Sequence, residues 1–229
     1  MVTRKTSSVV AARYLSAFRG LSLTHLAAPA TSLDVSRDYY HGTPSDKAGK
    51  NILREGIHPP DLTTRSEPFR PVSGRVYITT KLRYAIIYAL GANVLGHDLP
   101  KGYLRGSEWG YLFVIPGSEL REVHPDEDSV GEMVWDGNPA WLRALAKDVL
   151  DPDLFDLVMD GLAAEQSEAG KILLDQLSTS QELELISLGA HIAHEGKLRP
   201  KSCWKIHKGR SSELKEDGSN FFDIAEKCR

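Results

Sequence analysis

The spacing of apolar residues divides the chain into stretches of different period. Asp38 to Thr43 is a short aromatic run closed by Pro44-Ser45, the pattern of a strand ending in a turn. A helix is predicted next: Ser45 stands as N-cap, Ala48, Ile52 and Leu53 make an apolar face, and Gly56 is placed to end it. His58 to Ser73 holds Pro59, Pro60, Pro68 and Pro71 and reads as irregular loop. Arg75 to Thr79 has the composition of a buried strand, with Thr79 or Thr80 set to cap a helix over Lys81 to Leu90. On that helix Leu82, Ala85, Ile86 and Ala89 form one stripe, and Tyr84 and Tyr88 lie off it, one turn apart. Gly91 to Trp109 has no apolar period and is expected to be a mobile loop. Gly110 to Ile115 is the strongest strand signal, and Leu120 to His124 follows as an edge segment.

Beyond Pro125 the period becomes helical. Helices are predicted over 139–150, 152–164 and 168–188, the last broken near Ser178. Asn138-Pro139 and Asp151-Pro152 serve as starts and Thr179-x-x-Glu182 as a capping box. Met133-Val134-Trp135 reads instead as a strand that Glu132 would open after Gly131. His191 to Gly196 and Cys203 to His207 look like two strands joined by a turn through Pro200, and 210–229 like a polar, mobile tail. Residues 1–33 carry Arg4, Lys5, Arg13 and Arg19 with no acidic residue. Val9, Val10, Tyr14, Leu15 and Phe18 fall at helical spacing there, which suits either a removable leader or a helix packed on the surface. The implied organisation is a leader and linker over 1–36, one catalytic domain over 37–209 with a helical insertion at about 138–188, and the tail.

Composition narrows the function. The 28 basic and 31 acidic residues nearly balance, so neutralising phosphates is not the chain's main task. Two cysteines, Cys203 and Cys228, are too few for a disulfide framework and lack zinc-ligand spacing; a reducing compartment fits. No apolar run is long enough to span a bilayer, so a cytoplasmic protein is expected.

Candidate chemistry sits in Tyr39-Tyr40-His41-Gly42-Thr43 and in Gly74-Arg75-Val76-Tyr77-Ile78-Thr79-Thr80. In the first, an imidazole adjoins a residue without a side chain, so ring, backbone and hydroxyl can approach one ligand. These motifs, with the strand-turn-helix after the first and Tyr88 on the helix after the second, resemble the NAD-binding core of ADP-ribosyltransferases of the diphtheria-toxin and poly(ADP-ribose)-polymerase type. The resemblance covers 38–135 and, more thinly, 189–207. It implies an α+β fold on a split antiparallel sheet and NAD as substrate, with no metal and a protein or nucleic acid as acceptor. Members act as toxins, phage effectors, defence proteins and regulators.

By the same resemblance, Gly42 would hold the nicotinamide amide and His41 the adenosine ribose, with Thr43 and Thr79 beside them, and Tyr77 and Tyr88 would stack on the ring. Breaking the nicotinamide–ribose bond builds positive charge on the sugar, so a carboxylate must stand near it. The family's late-strand position, near Gly189 to His191, carries no acid here. Glu132 is the first candidate, Glu127 the next and Glu195 the third; Ala85 replaces a serine of the polymerases. Three other readings remain. One is an RNA 2′-phosphotransferase using Arg54, Arg65, Arg70 and Arg75. Another is a nucleotide-binding module without turnover. The last is a divalent-metal hydrolase built on His124, Asp126, Glu127, Asp128 and Glu132.

Overall fold

The computed structural model describes residues 33–59, 74–90, 107–215 and 217–228. The expected N-terminal helix, the proline-rich loop over 60–73 and the glycine-containing loop over 91–106 lie outside them. The chain is mixed α+β, with two antiparallel sheets and several helices. It separates into two compact units; the described part of one is 124–193, and the other is assembled from 34–60, 74–123 and 194–229.

The discontinuous unit contains β1 (Asp38–Thr43), α1 (Asp46–Glu55), β2 (Arg75–Ile78), α2 (Leu82–Leu90) and β3 (Trp109–Pro116). After β4 (Val123–Pro125) the chain enters the helical unit, and it returns through β5 (Ile192–Glu195) to β6 (Ser202–His207). One sheet has the order β1-β3-β6, closed by β7 (Glu226–Lys227); the other has the order β2-β5-β4. β3 is central and is buried from Gly110 to Ile115, as expected of an apolar run covered on both faces. Its register sets His41 opposite Phe113, Gly42 opposite Leu112 and Thr43 opposite Tyr111.

α1 starts as its sequence requires: the Ser45 hydroxyl accepts from the Ala48 N–H at 3.2 Å, and Gly56 closes the helix at φ 89°. Thr79 caps the entry to α2, its hydroxyl accepting from the Lys81 N–H at 3.1 Å. α2 then lies on the backbone of the sheet. A Cβ on Gly42 would stand 2.0 Å from the Ala85 carbonyl oxygen, and one on Gly110 would stand 2.1 Å from that of Ala89. The apolar stripe of α2 is wider than its spacing predicts: Tyr84, Ile87 and Leu90 are buried with it, and Tyr88 stays half-buried.

Two predictions for this unit fail. β5 and β6 are not a hairpin, because β6 pairs with β3 while β5 belongs to the other sheet. Nor is the segment after Arg210 a loose polar tail. It forms a 3-10 turn over Lys208–Glu213, the short helix α8 (Phe221–Ile224) and β7, which pairs with β6. Phe221 is fully buried among Ala85, Ile86, Leu90, Leu112, Val114 and Ile206, so one aromatic anchor outweighs the polarity around it.

The helical unit contains α3 (Glu127–Asp136), α4 (Ala140–Val149), α5 (Pro152–Met159), α6 (Ala163–Leu174) and α7 (Thr179–Leu188). α3 overturns the expected strand beginning at Glu132. Asp126 caps it by accepting from the Asp128 N–H at 3.0 Å, Gly137 ends it at φ 71°, and Val130, Met133 and Val134 bury one face. α3 and α6 meet through glycines, since a Cβ on Gly131 or Gly170 would stand 2.0 or 1.9 Å from the carbonyl oxygens of Gln166 and Glu127. The capping box of α7 lies one residue earlier than predicted: the Ser178 N–H donates to Gln181 Oε1 at 2.9 Å. Among the described residues no helix is long and apolar enough to cross a membrane.

Replacing Phe221 by Ala removes the anchor of the C-terminal segment. Urea denaturation is expected to show a loss of about 3 kcal/mol, and an unchanged midpoint would contradict this packing.

Candidate functional site

The C-terminal half of β1 is where the predicted residues gather. Strand alternation sets Tyr39, His41 and Thr43 on one face and Tyr40 and Gly42 on the other. On the first face the His41 Nδ1 lies 2.8 Å from the Tyr77 carbonyl oxygen. A carbonyl only accepts, so the proton sits on Nδ1 and the neutral ring's acceptor nitrogen is Nε2. Tyr77 thereby stands next to His41 through its backbone. Their strands are joined a second time by the Tyr40 and Thr79 main chains, which exchange two hydrogen bonds of 2.9 Å.

On the other face Gly42 meets α2. A Cβ there would also stand 2.9 Å from Tyr88 Cβ, so only glycine admits the helix turn that bears this tyrosine. Tyr88 is the half-buried residue of an otherwise buried run from Tyr84 to Leu90, and His41 and Tyr77 are half-buried too. His41 thus adjoins the Tyr77 main chain on one face of this strand end, and Gly42 adjoins the Tyr88 turn of α2 on the other. Thr43 and Thr79 are buried, 8% and 4% exposed, and the Thr79 hydroxyl caps α2.

The turn that follows Thr43 is braced by groups the sequence did not single out. Tyr111 donates its hydroxyl to Asp46 Oδ1 at 2.5 Å and stacks its ring on Gly49. Asp46 also pairs with Lys50 at 2.6 Å, and these contacts hold its carboxyl below the usual range. Burial, and then the bond to Asp46, push the Tyr111 phenol well up. The Lys208 ammonium donates to the Pro44 carbonyl at 2.9 Å. Only the strand register reveals these neighbours, since Tyr111 and Asp46 are far apart in sequence.

The carboxylate candidates separate. Glu195 belongs to the discontinuous unit, at the end of β5, and lies 3.6 Å from Arg75 of β2. Glu127 and Glu132 belong to the helical unit, on the first and second turns of α3; Glu127 is 1% exposed. Around them Asp126 has His191 Nδ1 at 4.0 Å, and His124 pairs with Glu182 at 3.1 Å. Burial, and then the charges of Asp128 and Glu127, hold the Asp126 carboxyl well above its ordinary value. Asp128 is raised to about 6, chiefly by burial. Among the described residues no group of three or more His, Cys, Asp or Glu side chains could hold a metal ion. The hydrolase alternative thus finds no ligand set in them, because Asp126 is engaged as a helix cap and His124 as the partner of Glu182.

Compared with protein-family models, curated proteins and solved structures, the chain finds no match in any of the three.

Two predictions follow from this packing and charge. Gly42→Ala should cost about 3 kcal/mol, because its Cβ meets main-chain atoms that cannot turn aside; a urea midpoint equal to wild type would refute the close approach. For Asp128, the raised pKa means that the folded state holds a proton the unfolded chain has released. Its stabilising contribution is complete below pH 3.8 and is lost as pH rises to about 6. Asp128→Asn should flatten the fall in stability across that window and add on the order of 1 kcal/mol at pH 7.5, read from melting curves against pH.

Proposed function

We propose that the discontinuous unit binds NAD at the end of β1, and that the protein transfers ADP-ribose from it to a protein or nucleic acid. The support is that His41 adjoins the Tyr77 main chain on one face of this strand end while Gly42 admits the turn of α2 that bears Tyr88 on the other, each on the strand or helix that the resemblance expects.

Each group then has a task its chemistry suits. Gly42, whose side-chain position is filled by α2, would hold the nicotinamide amide through its main-chain N–H and C=O. His41, with its proton on Nδ1, offers Nε2 to a ribose hydroxyl, and the two phenols supply stacking surface. Departure of nicotinamide leaves an oxocarbenium-like sugar that a nearby carboxylate stabilises. This reading assigns that carboxylate to Glu195, which shares its unit with His41 and sits on the strand beside β2. Glu132 loses the strand-opening context that first distinguished it, since it lies within a helix. A reading without turnover draws on one observation: the Arg75 guanidinium beside Glu195 would offset the charge that the reaction needs.

The test is nicotinamide release from NAD by the purified chain, with binding measured separately by calorimetry. His41→Ala and Tyr77→Ala should each weaken binding about tenfold or more. Glu195→Gln should keep binding and slow release by about 100-fold, whereas Glu132→Gln and Glu127→Gln should leave release near wild type. A wild-type chain that binds no NAD would end the proposal, and binding without release would leave the module that does not turn over.

A further inference from the structure

The two cysteines set aside on grounds of number turn out to be a cross-strand pair. Cys203 lies on β6, and Cys228 directly follows β7. The ladder pairs Trp204 with Lys227 and Lys205 with Glu226, and the same register carried one residue on sets Cys203 opposite Cys228. The Cys228 N–H donates to the Cys203 carbonyl at 2.9 Å, which extends the ladder to this position. Directly opposed residues in an antiparallel pair have Cβ atoms about 4.5–5.5 Å apart, close to the spacing a disulfide spans. The two sulfurs are 2.7 Å apart, and both are free thiols.

The pair is also asymmetric in the way thiol–disulfide exchange needs. Cys203 is buried and Cys228 is partly exposed. The contact with Cys203 holds the Cys228 thiol below its ordinary pKa, and the same contact, with burial, pushes the Cys203 thiol up. Cys228 is thus the thiol that meets an oxidant first, and Cys203 the one that resolves.

We propose that Cys203 and Cys228 form a reversible disulfide, made by exchange with a small disulfide of the glutathione type, which clamps the C-terminal segment onto β6. The Cys228 thiolate attacks one sulfur of the small disulfide and expels one small thiolate. The Cys203 thiolate then attacks Cys228 Sγ in the mixed disulfide and expels the second. The protein loses two electrons and two protons, and two small thiols carry them away.

The clamp closes on the element that supports α2. Phe221 sits against Ala85, Ile86 and Leu90 of that helix, and Gly218 lies against Ile86. β7 is only two residues long, so in the reduced chain the segment is held without a covalent link, by Phe221 and its apolar neighbours, the Trp204–Phe222 ring contact, the Lys205–Glu226 pair and a short ladder. Oxidation closes a covalent loop across it and limits how far it can lift from the core.

The experiment treats the whole chain with oxidised glutathione, then alkylates remaining thiols and measures intact mass, peptide map and melting. The wild-type monomer should lose both titratable thiols and the mass of two hydrogens, yield a linked peptide pair holding Cys203 and Cys228, and melt about 5 °C higher; dithiothreitol should reverse all of this. Cys203→Ser should instead retain one glutathione on Cys228, having no thiol to resolve it. The proposal is overturned if the wild type keeps both thiols, retains glutathione on Cys228, or links only between chains. A disulfide that forms without raising the melting temperature would overturn the clamp. The wild-type measurements decide the question even if the variant does not fold.

Discussion

The discontinuous unit depends on a helix lying directly on the backbone of two neighbouring strands. Gly42 of β1 and Gly110 of β3 both face main-chain carbonyls of α2, at distances no side chain could share. Helix–sheet contact normally runs through side chains, which hold the two layers well apart. Removing two Cβ atoms lets the layers close, and that closeness brings the Tyr88 turn beside the His41 strand. The core beneath the contact, from Ala85 to Phe221, is made of residues that fill the space around the glycines.

The helical unit solves its packing by the same device. Gly131 and Gly170 let α3 and α6 approach backbone to backbone, with Glu127 and Gln166 at the contact. The cost falls on the acidic start of α3, where Asp126 and Asp128 are drawn into surroundings that disfavour charge. Asp126 recovers part of that cost as the cap of α3.

Function, on this account, gathers at a strand end held from three directions. The Tyr77 carbonyl orients the His41 ring, α2 presses on Gly42, and the bond from Tyr111 to Asp46 fixes the turn beyond Thr43. None of these braces needs a ligand to form. A strand end ordered in advance loses less conformational entropy on binding, which is what a nucleotide-binding reading of this unit requires.

Local chemistry was legible in the sequence wherever neighbours along the chain decide the outcome. The caps Ser45, Gly56 and Asp151, the buried run from Gly110 to Ile115, and the order of strand and helix around His41 and Tyr77 all depend on short-range rules. α3 was legible as well, from Asp126, Val130, Val134 and Gly137, but a group of β-prone residues at Met133 to Trp135 suggested a strand instead. What only the tertiary structure decided are the pairings between distant segments: β6 with β3, Phe221 under α2, Tyr111 with Asp46, and Cys203 with Cys228. Short strands carry no mark of their partner, because period and propensity describe one segment's faces and the partner is chosen by the shape and register of the assembled core.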